Sequence, residues 1–216
     1  TSTYSYHARI EMLDNSGNTT YVGDGSSSIF VRAAQTELAA QYSTSYIPTY
    51  SVSSTRVADS CSKTGISELI GQSEGTMFID FFHNITNTTE DTRFILSDNS
   101  YDNWLFFSIE NGTSLRYYLT SGGVNELDTT VTNVFPTSQR YKVALKYQDD
   151  SLIIYVNGVQ KVNNTNSTTI PSMSAFLLSG KEAVTSAVEL VNKEINQAIL
   201  FPTALTNDEL ASLTTI

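Results

Sequence analysis

Between Asp98 and Trp104 the chain reads DNSYDNW. Two carboxylates, two carboxamides, a hydroxyl and two aromatic rings fall within these seven residues. Sugar recognition needs that mixture: flat rings for the C–H faces and fixed polar groups for the hydroxyls. Tyr101, Asp102, Asn103 and Trp104 are therefore candidate ligand-binding residues, joined by Tyr118 on the neighbouring hairpin. The competing assignment places Trp104, and one tyrosine of Tyr101, Tyr117 and Tyr118, in the core. A hard cation is the second chemistry this stretch could serve. Calcium takes six to eight oxygens, and Asp98 and Asp102 are candidate ligands, with Asn99 and Asn103 beside them. Against calcium stand the missing EF-hand spacing and the ordinary use of Asp and Asn as turn formers.

Other reactive side chains are sparse. His7 and His83 are far apart and have no partner pattern, so a satisfied or exposed imidazole is favoured over a metal ligand. Cys61 is the single cysteine. It cannot form an intrachain disulfide, and with no histidine near it in sequence it is expected to be a small buried residue rather than a nucleophile. No P-loop or dinucleotide fingerprint occurs.

Composition narrows the partners. Twelve basic against 22 acidic residues give a net charge of −10. Nucleic acid is thereby excluded as an expected partner, because neutralising phosphates requires clustered Lys and Arg. Insertion into a membrane is not expected either, since no apolar run reaches 18 residues. Hydrophobic residues at 40% are enough for a core, while only 16% of residues are charged. Polar surface must come mainly from Ser, Thr and Asn, as on extracellular β-proteins and particle surfaces. Thr1 is not a natural start, so a longer parent polypeptide is expected.

Strands must position the candidate residues, and the clearest run from Arg140 to Gln160. Tyr141, Val143, Leu145 and Tyr147 alternate with Lys142, Ala144 and Lys146, the period of a strand with one face in a core. Gln148 to Ser151 turns the chain, and Leu152 to Val156 is rich in β-branched and aromatic residues. Asn157-Gly158 suits a primed hairpin turn, and Val159 to Val162 returns. Further strands are expected at Met77 to His83, Arg93 to Ser97, Trp104 to Glu110, Leu115 to Thr120, Leu127 to Phe135, Phe176 to Ser179, Ala187 to Leu190 and Glu194 to Leu200. Thr206-Asn207-Asp208-Glu209 fits a capping box ahead of a helix of two turns. Before residue 42, Thr3 to Leu13, Thr19 to Val22 and Ile29 to Leu38 read as strands, with a turn at Asp14 to Asn18.

The meander RYKVALKYQDDSLIIYVNGVQ and the terminal Asn196 to Thr206 followed by Asp208-Glu209-Leu210 resemble laminin-G-like domains of the concanavalin A-like lectin/glucanase group. The resemblance implies an all-β, two-sheet antiparallel jelly roll over residues 58–216, with a short C-terminal helix. Residues 1–42 are then read as closing strands of a preceding β-sandwich or as an assembly segment, and 43–57 as a linker. Related glucanases carry Glu-x-Asp-x-x-Glu on one strand. The nearest match is Glu126-Leu127-Asp128-Thr129-Thr130-Val131, whose third acid is Val131. A non-catalytic domain is expected.

Thr44-Ser45-Tyr46-Ile47-Pro48-Thr49 and Thr55-Arg56-Val57-Ala58-Asp59 resemble a connector of phage and prophage tail proteins. That resemblance implies a tail-fibre or spike segment on the virion, outside the cell, binding host-surface polysaccharide or glycan. Other virion tail proteins and a homotrimer are the implied partners, with avidity from repeated weak sites. Two alternatives stay open: a structural adaptor or decoration domain that contacts protein, and the carbohydrate-binding module of a polysaccharide-degrading enzyme.

Overall fold

The computed structural model describes residues 61–84, 92–100, 102–166, 168–178 and 194–216, with positions 13, 14, 16–20, 22, 25, 26, 30, 46 and 48 before them. The chain divides into two compact units, Thr1–Arg56 and Val57–Ile216. In the first, the turn expected at Asp14 to Asn18 is present. The Asp14 carboxylate accepts from the backbone N–H of Ser16 and Asn18 at 2.9 and 2.8 Å, and Gly17 takes a positive φ of 82°. Nearly all of the strands expected before residue 42, and all of the connector except Tyr46 and Pro48, lie outside the described residues.

The second unit holds, among the described residues, eleven strands and one helix. In chain order the strands are β1 (Ser62–Thr64), β2 (Glu74–His83), β3 (Thr92–Ser97), β4 (Trp104–Glu110), β5 (Ser114–Ser121) and β6 (Val124–Val131). They continue with β7 (Gln139–Gln148), β8 (Ser151–Val156), β9 (Val159–Asn164), β10 (Ala175–Leu177) and β11 (Glu194–Phe201), and α1 (Asn207–Thr214) follows. They form a six-stranded sheet, β1-β10-β3-β4-β5-β6, facing a five-stranded sheet, β11-β2-β7-β8-β9. Every pairing is antiparallel. This is the all-β, two-sheet antiparallel sandwich with a short terminal helix that the resemblance implied.

The core lies between the sheets. Met77, Ile79 and Phe81 of β2 and Tyr141, Val143, Leu145 and Tyr147 of β7 meet Phe94, Leu96, Leu105, Phe107 and Leu119 from the six-stranded sheet. Burying each such side chain contributes about 1.5–3 kcal/mol. Hairpins set the register where residues tolerate positive φ. Asn157 and Gly158 (49° and 77°) join β8 to β9, and Gly122 and Gly123 (57° and 78°) join β5 to β6. His83 is fully buried, and its Nε2 donates to the carbonyl of Gly112 at 2.6 Å. The satisfied histidine is thus the correct reading there, while His7 lies outside the described residues.

Three expectations change. The strand expected over Leu127 to Phe135 runs instead from Val124 to Val131, because the Gly122-Gly123 turn starts it at once. Asn133, at φ 58°, ends the extended path, and the N–H groups of Val134 and Phe135 both donate to the carbonyl of Thr113 at 2.9 Å. Phe135 therefore enters the core from a loop. Cys61 is exposed rather than buried, since it stands just ahead of the polar edge strand β1, whose residues SKT carry no apolar alternation to signal them. The strand expected at Phe176 to Ser179 is β10, which begins one residue earlier and ends at Leu177, and that at Ala187 to Leu190 lies outside the described residues.

Helix α1 begins at a complete capping box. Thr206 Oγ1 accepts from the Glu209 backbone N–H at 3.3 Å, and Glu209 accepts from the Thr206 N–H at 2.8 Å. Leu210 packs with Phe78, Ala144, Ile153 and Tyr155 on the outer side of the five-stranded sheet, so the helix closes that face. Thr206→Ala is expected to cost about 1 kcal/mol, read as a lower urea midpoint with an unchanged slope.

Candidate functional site

With the helix on the five-stranded sheet, the outward side of the six-stranded sheet is the second broad surface of the sandwich. Alternation decides what it presents. In β4, Leu105, Phe107 and Ile109 point into the core, so Trp104, Phe106, Ser108 and Glu110 point away from it. In β5, Leu115, Tyr117 and Leu119 are core, which leaves Arg116, Tyr118 and Thr120 outward. Ile95, Trp104, Phe106, Ala175 and Leu177 form a separate apolar cluster on that side, with the half-buried Tyr118 packed against it.

The rings are ordered relative to one another. Phe106 and Tyr118 stack with centroids 5.1 Å apart and planes 12° from parallel. Trp104 meets Tyr118 edge-on at 5.4 Å, and its indole Nε1 donates to Thr120 Oγ1 at 3.0 Å. The guanidinium of Arg93 stands over the Phe106 ring at 5.2 Å, and that of Arg116 stands over Tyr118 at 5.3 Å. Such contacts contribute about 0.5–1 kcal/mol each at exposed positions.

Arg116 is held from both sides. Its Nε and Nη2 donate to the two oxygens of Asp128 at 2.6 and 2.9 Å, and Nη1 donates to Glu110 Oε1 at 3.0 Å. Asp128 and Glu110 accordingly push the guanidinium pKa up, and the Arg116 hydrogen bond holds the Asp128 carboxyl below its ordinary value of 3.8 against the opposing effect of burial. A depressed carboxyl contributes stability above its unfolded pKa and loses it as pH falls through the folded one. Stability is therefore expected to fall below pH 3.8, with Asp128→Asn flattening that part of a thermal-melt pH profile. Because the Asp128 side chain is 41% exposed, its share is no more than about 1 kcal/mol.

The rim loop closes one end of this surface. Asp98 accepts from the N–H and hydroxyl of Ser100 at 2.8 and 2.6 Å and from Asn103 Nδ2 at 2.8 Å. Burial pushes the Asp98 carboxyl up, and these hydrogen bonds outweigh it and leave the pKa below the ordinary value. Asn103 Oδ1 accepts from the Gly122 N–H, and the Asp102 carbonyl from that of Gly123, both at 2.9 Å. The loop is thus pinned to the β5–β6 turn.

Of the residues expected to bind a ligand, Asp102, Asn103, Trp104 and Tyr118 gather along this rim and face, and Tyr101 lies outside the described residues. Tyr117 is the tyrosine taken by the core. Trp104 is buried too, but on the outward side, away from the intersheet core. Asp98, weighed as a calcium ligand with Asp102, spends both oxygens on its own turn. Among the described residues no group of three or more His, Cys, Asp or Glu converges on one point. The glucanase-like acids are spent as well. Asp128 is locked to Arg116, while Glu126 lies at a bulge and accepts from the Thr169 N–H at 2.5 Å. Phe106, Arg93 and Arg116 were missed from the sequence. The signal available was Trp104-x-Phe106-x-Ser108-x-Glu110, a period of two hidden by the equally apolar inward set.

A family model described as the concanavalin A-like lectin/glucanases superfamily matches residues 66–211. No curated protein matches the sequence. Among similar solved structures, the CBM40 of the Ruminococcus gnavus IT-sialidase bound to alpha2,3 sialyllactose has a TM-score of 0.56 at 16% identity, over 75% of this chain and 96% of that one. A leech intramolecular trans-sialidase complexed with 2,7-anhydro-Neu5Ac gives 0.57 at 15% identity, over 75% of this chain and 27% of that one. The NanB sialidase of Streptococcus pneumoniae gives 0.56 at 15% identity, over 72% and 26%. At these identities the likeness shows a shared fold.

Proposed function

The chain belongs to the concanavalin A-like lectin/glucanase superfamily, and from that premise we propose that its sandwich is a carbohydrate-binding module that holds a glycan without cleaving it. The observation that carries this reading is the outward cluster of Trp104, Phe106 and Tyr118, bounded by the Arg116–Asp128 pair and by the pinned rim of Asp102 and Asn103. Tyr118, the half-exposed ring of that cluster, offers a platform to sugar C–H faces with Phe106 and Trp104 packed behind it, and the exposed Asp102 and Asp128 carboxylates offer acceptors to hydroxyls. A sialyllactose-bound CBM40 of the same fold supports a glycan as the ligand class. Retaining hydrolysis needs two carboxyls about 5–5.5 Å apart flanking one bond, whereas Glu126 and Asp128 are engaged by different partners. Calorimetric titration of the full chain with glycans drawn from an array tests the reading. Saturable binding of at least one glycan is expected, and no binding across the array overturns it.

A second reading concerns context. The connector residues Thr44 to Thr49 and Thr55 to Asp59 favour a virion tail fibre or spike that attaches to host-surface glycan outside the cell as a homotrimer. Native mass spectrometry of the intact polypeptide tests it: a trimer supports it and a monomer does not.

A further inference from the structure

Resting on the reading of this face as a glycan site, we propose that its ligand is an uncharged glycan and that the Asp128 carboxylate excludes acidic sugars by occupying the Arg116 fork. A guanidinium recognises a carboxylate through two parallel N–H donors. In this protein the Nε/Nη2 edge that would do so already grips Asp128, at 2.6 and 2.9 Å, and Nη1 is drawn to Glu110 at 3.0 Å. A sugar carboxylate would have to displace Asp128 and leave that acid unpaired beside it. The charges do not help it. Arg116, Glu110 and Asp128 sum to −1, Arg93 brings the total to zero, Asp102 on the rim returns it to −1, and the whole chain carries −10. The face therefore offers an anion no net positive potential.

The remaining groups suit hydroxyls. Asp128, exposed beside Tyr118, pairs across the sheet with it, and exposed Asp102 stands on the rim. Carboxylates only accept hydrogen bonds, and sugar hydroxyls are donors. Each carboxylate oxygen has two lone pairs, so Asp128 can accept from a hydroxyl of a neutral ring on Tyr118 while it still holds Arg116. Ligand choice at this face is then built by an intramolecular mimic of the acidic sugar, namely the Asp128 side chain.

The test compares matched pairs that differ only in a terminal acid, with lactose and 3′-sialyllactose among them, on wild type and on Asp128→Asn. Wild type is expected to bind neutral members at least tenfold more tightly than their sialylated counterparts, with an affinity insensitive to salt. Asp128→Asn is expected to narrow or reverse that ratio. Equal or tighter binding of the sialylated member by wild type overturns the inference while leaving the glycan reading intact. An unchanged ratio in Asp128→Asn also overturns it. Failure of every neutral and acidic glycan to bind overturns the glycan reading itself, and the inference with it.

Discussion

Tyr118→Ala is expected to weaken glycan binding by about thirtyfold or more while the sandwich stays folded. Ring anchors at the centre of a contact typically carry about 2 kcal/mol or more, and each 1.4 kcal/mol is a factor of about ten in affinity. Tyr118 is half-buried, stacks on Phe106 and meets Trp104, yet it takes no place among the intersheet core residues. Removing it strips the platform and leaves the packing of Leu119 and Tyr117 intact on the other side of β5. Tyr118→Phe retains the ring and is expected to retain most of the affinity. Calorimetry of the three proteins against one bound glycan checks this, and circular dichroism confirms the fold.

The second large effect is on stability. Gly71→Ala is expected to cost about 3 kcal/mol, at the upper end for overpacking. A methyl group there would lie 1.6 Å from the carbonyl oxygen of Glu74 and 2.5 Å from that of Pro202. Both are backbone atoms, at the entry to β2 and just beyond the end of β11, so no side chain can swing aside. The Gly71 carbonyl also accepts from the buried Tyr147 hydroxyl at 3.1 Å, which ties the same turn to the core. For a domain of this size the loss corresponds to roughly 6–12 °C in Tm, measurable by calorimetry.

Sheet architecture was legible where one face is apolar and the other polar. β7 alternates cleanly, and the Asn157-Gly158 turn between β8 and β9 names its own geometry. β4 was legible as a strand but not as a two-sided one. WLFFSIE is apolar at Leu105, Phe107 and Ile109 for the core and at Trp104 and Phe106 for the other side, so period two cannot separate the faces. Phe135 reached the core from a loop, where no periodicity announces it. The site was half legible for a related reason. Asp102, Asn103 and Trp104 are neighbours in sequence and stand out by type. Arg116 and Asp128 are twelve residues apart and meet only because the β5–β6 register sets Tyr118 opposite Asp128. The same non-local pairing turned an apparent glucanase acid into a partner for arginine.

Trp104 is the single tryptophan of the chain and belongs to the outward cluster, edge-on to Tyr118. Its fluorescence therefore reports on that face and no other. Titrating a bound glycan is expected to shift the Trp104 emission saturably, with the midpoint that calorimetry gives, and Tyr118→Ala should move both midpoints about thirtyfold to higher concentration. Calorimetric binding that leaves the emission unchanged and survives Tyr118→Ala would place the ligand elsewhere and contradict the account.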